Sequence, residues 1–182
     1  MALLGIDLGT SSVKVLVMAE DGQILGRGAA GYGIERPRVD WAEQSPERWW
    51  EATVDAVRKA TSERDMKSNA ISAIGLSGQM HGTVLLDKAG RLLNPAVIWP
   101  DRRSRRQVAE ITELIGAQEL IGTTGSPLAT GFQAATLRWF QQERVALWRQ
   151  VATVLTPKDY LRWRLTGEFG SEPSDGSGTL LL

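Results

Sequence analysis

The stretch that most restricts how this chain can fold is its first fourteen residues. Leu3, Leu4 and Ile6 form an apolar run that ends at an acid, Asp7, and then breaks into Gly9, Thr10, Ser11 and Ser12. Val13, Leu16 and Val17 restore the apolar pattern. This reads as a strand, a tight polar turn and a second strand, with one carboxylate at the mouth of the turn. Glycine lets the backbone approach a ligand closely, and successive N–H groups and hydroxyls at such a turn form a concavity suited to phosphate oxygens. Asp7 would repel a phosphate unless a divalent cation lay between them, so the turn also implies Mg²⁺. The alternative is a hairpin whose Gly and Ser residues only reverse the chain. Two features weigh against it. A carboxylate at the end of an apolar strand is costly without a partner, and the turn strings three hydroxyls together where one Asn-Gly would suffice.

The rest of the chain alternates strands and helices. Leu3–Leu8, Val13–Met18 and Ile24–Ala30 read as three strands, the last two joined by an Asp21-Gly22 hairpin signal. Ile34 to Gln44 carries Pro37 and no period, and reads as a loop. Ser45 then caps a helix with Pro46 at its first position and Glu47 in its first turn. Trp50, Val54, Val57 and Ala60 give that helix one apolar face, and the pattern runs to Arg64, about 28 Å. A strand over Ala70–Leu76, a turn over Gln79–Gly82 and a strand over Thr83–Asp87 follow, then an extended run ending at Trp99. From Ser104 the chain is mainly helical, over Ser104–Ile115, Gln133–Glu143 and Lys158–Thr166, with a loop from Thr123 to Gly131. The tail from Gly167 is rich in Gly and Ser and ends in Leu180, Leu181 and Leu182, which read as the start of a buried element. Strands, a helix and more strands predict an α/β fold with a mixed sheet.

Composition narrows the function classes. Lys+Arg and Asp+Glu both number 21 in 182 residues, so no net field favours nucleic acid or a membrane surface. The absence of cysteine excludes a disulfide framework and thiolate metal sites. No apolar run approaches the roughly 18 residues of a membrane span, and no signal peptide is visible. A cytoplasmic protein is the default expectation. Arg102, Arg103, Arg105 and Arg106 cluster, most simply as a solvated helix start.

Two further segments carry chemistry. Gln79 offers a donor and an acceptor, and a neutral His81 offers one ring nitrogen of each kind. Such bifunctional groups suit a polyol, whose hydroxyls both give and accept protons, and Met80 adds an adaptable apolar contact. Asp101 and Arg103 follow Trp99 and Pro100; a carboxylate beside a guanidinium is most simply a structural ion pair. Trp41 could wall a pocket or pack a loop, and Asp159 and Tyr160 read as packing of a helix start.

The segments Gly5–Lys14, Gly75–Asp87, Ile98–Ser104 and Thr156–Glu168 together resemble the FGGY carbohydrate kinases, nearly from the first residue to the last. The resemblance implies a ribonuclease H-like, actin-like ATPase fold and the first lobe of a two-lobe sugar kinase over residues 1–182. It implies ATP and Mg²⁺, with Asp7 important for activity through the metal and Gly9, Thr10, Ser11 and Ser12 at the phosphates. Gln79, Met80, His81, Asp101 and Arg103 are implied at the sugar. The tetrapeptide Gln79–Gly82 points, within the family, to D-xylulose or a related ketose, phosphorylated at its terminal 5-hydroxyl. Pro100 departs from the polar residue expected between Trp99 and Asp101.

Kinases also need a carboxylate close to the acceptor hydroxyl. The family carries it in a Gly-rich GGxDN-type motif that this sequence lacks, so the C-terminal lobe is expected to be missing and the isolated chain to turn over little. A non-catalytic sugar-binding or interaction module is the alternative, and a filament- or chaperone-type ATPase sharing the turn is disfavoured by Gln79–Gly82. Pairing into a homodimer is left open.

Overall fold

The computed structural model describes residues 1–62 and 71–181. Its centre is a four-stranded mixed sheet in the order β3-β2-β1-β5. β1 (Ala2–Leu8) and β2 (Ser12–Ala19) form a tight antiparallel hairpin, with Asp7 opposite Lys14 and Leu8 opposite Val13. β3 (Ile24–Gly31) continues the meander, and β5 (Ile71–Gly78) lies parallel to β1. Alternation along β1 buries Ala2, Leu4, Ile6 and Leu8 on one face and turns Leu3, Gly5 and Asp7 to the other.

The buried face is covered by α1 (Pro46–Ser62). Ser45 sits before it, and its carbonyl accepts from the Arg48 and Trp49 N–H groups. The stripe that α1 buries is Trp49, Ala52, Thr53, Ala56 and Ala60; of the expected face Ala60 is fully buried, and Trp50 and Val57 are partly buried against the same core. Small residues decide this. A Cβ on Gly26 or Gly28 of β3 would run into the backbone carbonyl of Ala60 or Ala56, so helix and strand touch backbone to backbone. The expected end of this helix at Arg64 and the expected strand start at Ala70 lie outside the described residues.

Two short ladders extend the structure. β4 (Glu43–Gln44) pairs antiparallel with β7 (Ala96–Val97), so the loop expected from Ile34 ends in a strand. β6 (Val84–Leu86) pairs antiparallel with β8 (Thr153–Leu155). The helical half comprises α2 (Arg105–Ile115), α3 (Ala117–Thr124), α4 (Gln133–Glu143), α5 (Val145–Trp148), α6 (Pro157–Thr166) and α7 (Pro173–Ser177). α3 occupies the start of the segment expected as a loop from Thr123, and α7 interrupts the expected Gly/Ser tail. Leu180 is buried beside Leu120, Leu128 and Ala135, whereas Leu181 is exposed.

Candidate functional site

Because β1 and β5 are parallel, the turn after β1 and the loop after β5 emerge from the same sheet edge. Leu8 pairs with Gly78, and the Gln79 N–H donates to the Leu8 carbonyl at 2.7 Å. The two loops singled out from the sequence, 200-odd atoms of chain apart, are therefore neighbours, at the carboxyl ends of strands where open α/β sheets bind ligands.

The turn after β1 is held from several sides. Gly9 N–H donates to the Ser12 carbonyl at 3.1 Å, and Tyr32 N–H to the Ser11 carbonyl at 3.1 Å. The Tyr32 hydroxyl donates to the Gly9 carbonyl. Burial, with a smaller contribution from the Asp7 charge, pushes the Tyr32 phenol well above its ordinary value, so it remains a donor. Asp7 is half-exposed on the open sheet face, with Lys14 Nζ 3.9 Å away.

Behind the turn lies Gln44. Its Nε2 donates to the Thr10 carbonyl at 2.7 Å and to the Gly33 carbonyl at 3.1 Å. Its Oε1 accepts from Trp49 Nε1 at 3.1 Å and from Gln79 Nε2 at 2.9 Å. An indole N–H can only donate and carbonyls can only accept, so this orientation of the Gln44 amide is forced. Gln79 is thus turned inward, 7% exposed, and its Oε1 is buried without a partner among the described residues.

His81 occupies the left-handed region at φ 63°, rare for a residue with a side chain. Such strain is characteristic of functional sites. Its Nδ1 lies 2.8 Å from the Gly178 carbonyl, and its ring packs on Phe132 with centroids 4.0 Å apart and planes tilted by 37°. A carbonyl only accepts, so Nδ1 carries the proton and Nε2 of the neutral ring presents a lone pair. Met80 beside it is 49% exposed.

Asp101 and Arg103 form the ion pair that was the simplest reading of their sequence. Asp101 is 1% exposed and its oxygens are taken by the Ala42 N–H at 2.7 Å and by the Arg103 backbone N–H and guanidinium. The Arg103 side chain is 2% exposed, paired also with Glu43 at 2.8 Å and lying 3.7 Å from the Trp41 ring. Of the arginine cluster, Arg103 is a buried tie, while Arg105 and Arg106 pair at the surface with Asp40 and Glu143. The residue of this segment that does face the site is Trp99, whose Nε1 donates to Thr10 Oγ1 at 3.0 Å.

A sequence profile described as the FGGY family of carbohydrate kinases, N-terminal domain, matches residues 2–182. The chain belongs to the FGGY carbohydrate kinases. It is 40% identical over 179 residues to the xylulose kinase of Escherichia coli (strain K12), covering 98% of this chain and 36% of that protein. It is 36% identical to the xylulose kinase of Bacillus subtilis (strain 168), over 99% of this chain and 36% of the relative. The crystal structure of a xyloylose kinase from Brucella ovis superposes with a TM-score of 0.94 at 39% identity, covering all of this chain and 38% of that one. This FGGY chain therefore spans little more than a third of the length of the relatives it matches, and its mixed sheet is that of the actin-like ATPase fold.

FGGY kinases use ATP, and at this turn Asp7 could hold a metal ion. Among the described residues no three His, Cys, Asp or Glu side chains gather as a ready-made metal cage. Asp7 offers one open carboxylate, which fits an ion that keeps several waters and takes one or two carboxylates together with substrate phosphates. Gln44 and Trp99 were not picked out as site residues in the sequence. Both lie in segments whose only local signal is a helix cap or an apolar run, and their partners are 34 and 89 residues away. Among the described residues no helix is long and apolar enough to cross a membrane.

Proposed function

We propose that this chain is the first lobe of a two-lobe cytoplasmic ketose kinase. It binds D-xylulose and the phosphates of ATP, and a C-terminal lobe supplies the acceptor-side carboxylate and the remaining nucleotide contacts. The γ-phosphoryl group passes from ATP to the 5-hydroxyl of the sugar, giving ADP, D-xylulose 5-phosphate and a proton. The observation that carries the reading is the shared edge of β1 and β5, which sets the hydroxyl-rich turn beside the Met80–His81 loop.

Each residue has a separable task. His81 Nε2 accepts a hydrogen bond from one sugar hydroxyl, and the strained backbone plus the Gly178 contact fix its direction. Met80 packs against the carbon skeleton. Gly9 and Thr10 lie against the polyphosphate, with the hydroxyls of Ser11 and Ser12 at the rim. Asp7 holds Mg²⁺, which when bound offsets the negative charge that gathers on the transferring phosphoryl oxygens. Closure of the second lobe excludes water from the transfer.

The test is ADP release by the purified two-lobe protein with ATP and a panel of D-xylulose, D-ribulose, glycerol and gluconate. D-xylulose is expected to give the highest kcat/KM. Equal turnover with and without sugar would remove the kinase reading, and preference for glycerol would remove the ketose.

A further inference from the structure

Building on the kinase reading, we propose that Tyr32 is a positioning residue for the nucleotide: its phenol holds back the Gly9 carbonyl and so turns the Thr10 N–H toward a phosphate oxygen. A trans peptide is planar, and the carbonyl of one residue and the N–H of the next point in opposite directions. Whatever fixes the one fixes the other. Among the described residues no peptide is cis.

At this turn three successive carbonyls are held by the protein. The Tyr32 hydroxyl donates to the Gly9 carbonyl, Gln44 Nε2 to the Thr10 carbonyl at 2.7 Å, and the Tyr32 N–H to the Ser11 carbonyl at 3.1 Å. Gln44 Nε2 also donates to the carbonyl of Gly33, the residue after Tyr32, so these donors stand together on one side of the turn. The Thr10 and Ser11 N–H groups are directed away from that side. Among the described residues neither meets an acceptor. Thr10 is half-buried and Ser11 exposed. Two adjacent N–H groups without partners at such a place suit the oxygens of a phosphate.

The phenol matters most for the peptide between Gly9 and Thr10. Glycine has no Cβ to resist rotation, so that unit is the freest in the turn. The Gly9 N–H is itself tied to the Ser12 carbonyl at 3.1 Å, and the next two peptides keep Gln44 and the Tyr32 N–H. Loss of the phenolic O–H therefore releases one peptide plane and leaves its neighbours held. Burial, more than the Asp7 charge, keeps the phenol protonated and hence a donor.

In the two-lobe protein, Tyr32→Phe keeps the ring and the backbone N–H and removes only this donor. The kcat/KM for MgATP is expected to fall about 5–10-fold. The KM for the ketose, and the calorimetric Kd for adenosine, which carries no phosphate, should each change less than about twofold. A purely structural role would not separate MgATP from adenosine. Unchanged kcat/KM for MgATP, or equal weakening toward MgATP and adenosine, overturns the proposal. If the wild-type protein phosphorylates no ketose, the kinase reading fails on its own. Tyr32 is then tested by calorimetric binding of magnesium tripolyphosphate. Weakening of about fivefold or more in Tyr32→Phe supports its role, and equal binding by both proteins, or none by the wild type, removes it.

Discussion

The amide of Gln79 donates to the amide of Gln44 at 2.9 Å, joining the loop after β5 to the residue that holds the Thr10 carbonyl. The two glutamines are 35 positions apart in sequence, and both are buried. Nothing in the link is charged, so salt leaves it intact, and the loops after β1 and β5 share one internal partner.

Replacing Gln44 by Leu strands the Trp49 indole N–H, the Gln79 amide and the carbonyls of Thr10 and Gly33. Each stranded buried group costs about 1–3 kcal/mol, although shape is kept. The chain is expected to lose about 3 kcal/mol in urea unfolding. A loss below about 1 kcal/mol would mean that the network is not formed in solution.

Arg103→Met removes the cation between Asp101 and Glu43 and leaves two carboxylates buried without it. Breaking a buried pair in this way costs about 3–5 kcal/mol. Arg103→Lys keeps a charge but not the fork that spans both acids, and is expected to fall between wild type and Arg103→Met in thermal denaturation.

His81→Asn retains a residue that tolerates positive φ but lacks a nitrogen lone pair aimed like Nε2. D-xylulose binding, followed by calorimetry in the two-lobe protein, should weaken about 5–10-fold. The melting temperature should move by no more than about 3 °C. Undiminished binding would remove His81 from the sugar site.

Gly28→Ala places a methyl group against the Ala56 carbonyl on α1. The helix must move off the sheet, at a cost of about 3 kcal/mol. Gly5→Ala on the open face, where a Cβ meets nothing within 4 Å, is the matched control and should cost about 1 kcal/mol or less.

Glu172 supplies the pH prediction. The Lys158 ammonium, then Ser174 and the amides of Ser174 and Asp175, draw its carboxyl down from 4.5 to about 2. A folded-state value below the unfolded one means stability that is complete above pH 4.5 and lost as pH falls toward 2. Glu172→Gln should therefore be less stable than wild type at pH 6, with the gap closing by pH 2. A gap independent of pH in urea titrations would exclude the carboxylate as its source. The group is exposed, so the expected gap is small.

Much of the molecule was legible before any coordinate. The β1–β2 hairpin follows from an apolar alternation broken by Gly9 to Ser12, and the helices expected over 133–143 and 158–166 follow from apolar residues at helical spacing, the second starting one residue earlier, at Pro157. The α1 face was only partly legible: Ala60, Trp50 and Val57 do meet the core, but the closest approach is made by Ala56 and Ala60 on Gly28 and Gly26, which the pattern of large residues does not signal. Short strands such as Glu43–Gln44 exist only because a distant partner at 96–97 satisfies their backbone, and two residues carry no period of their own.

The same distinction separates the parts of the site. Local order determined which residues could meet a phosphate or a polyol, because Asp7, Gly9 to Ser12 and Gln79 to His81 carry their chemistry within a few positions. Which of them turn inward was decided by tertiary contacts. Gln79, Asp101 and Arg103 turn inward because buried polar groups must find partners, and those partners come from β4, from Ala42 and from Glu43. The His81 ring is oriented by Gly178, 97 residues later, whose carbonyl engages Nδ1. Spacing sets what a side chain is able to do, but hydrogen-bond saturation across the fold sets which valence is left to do it.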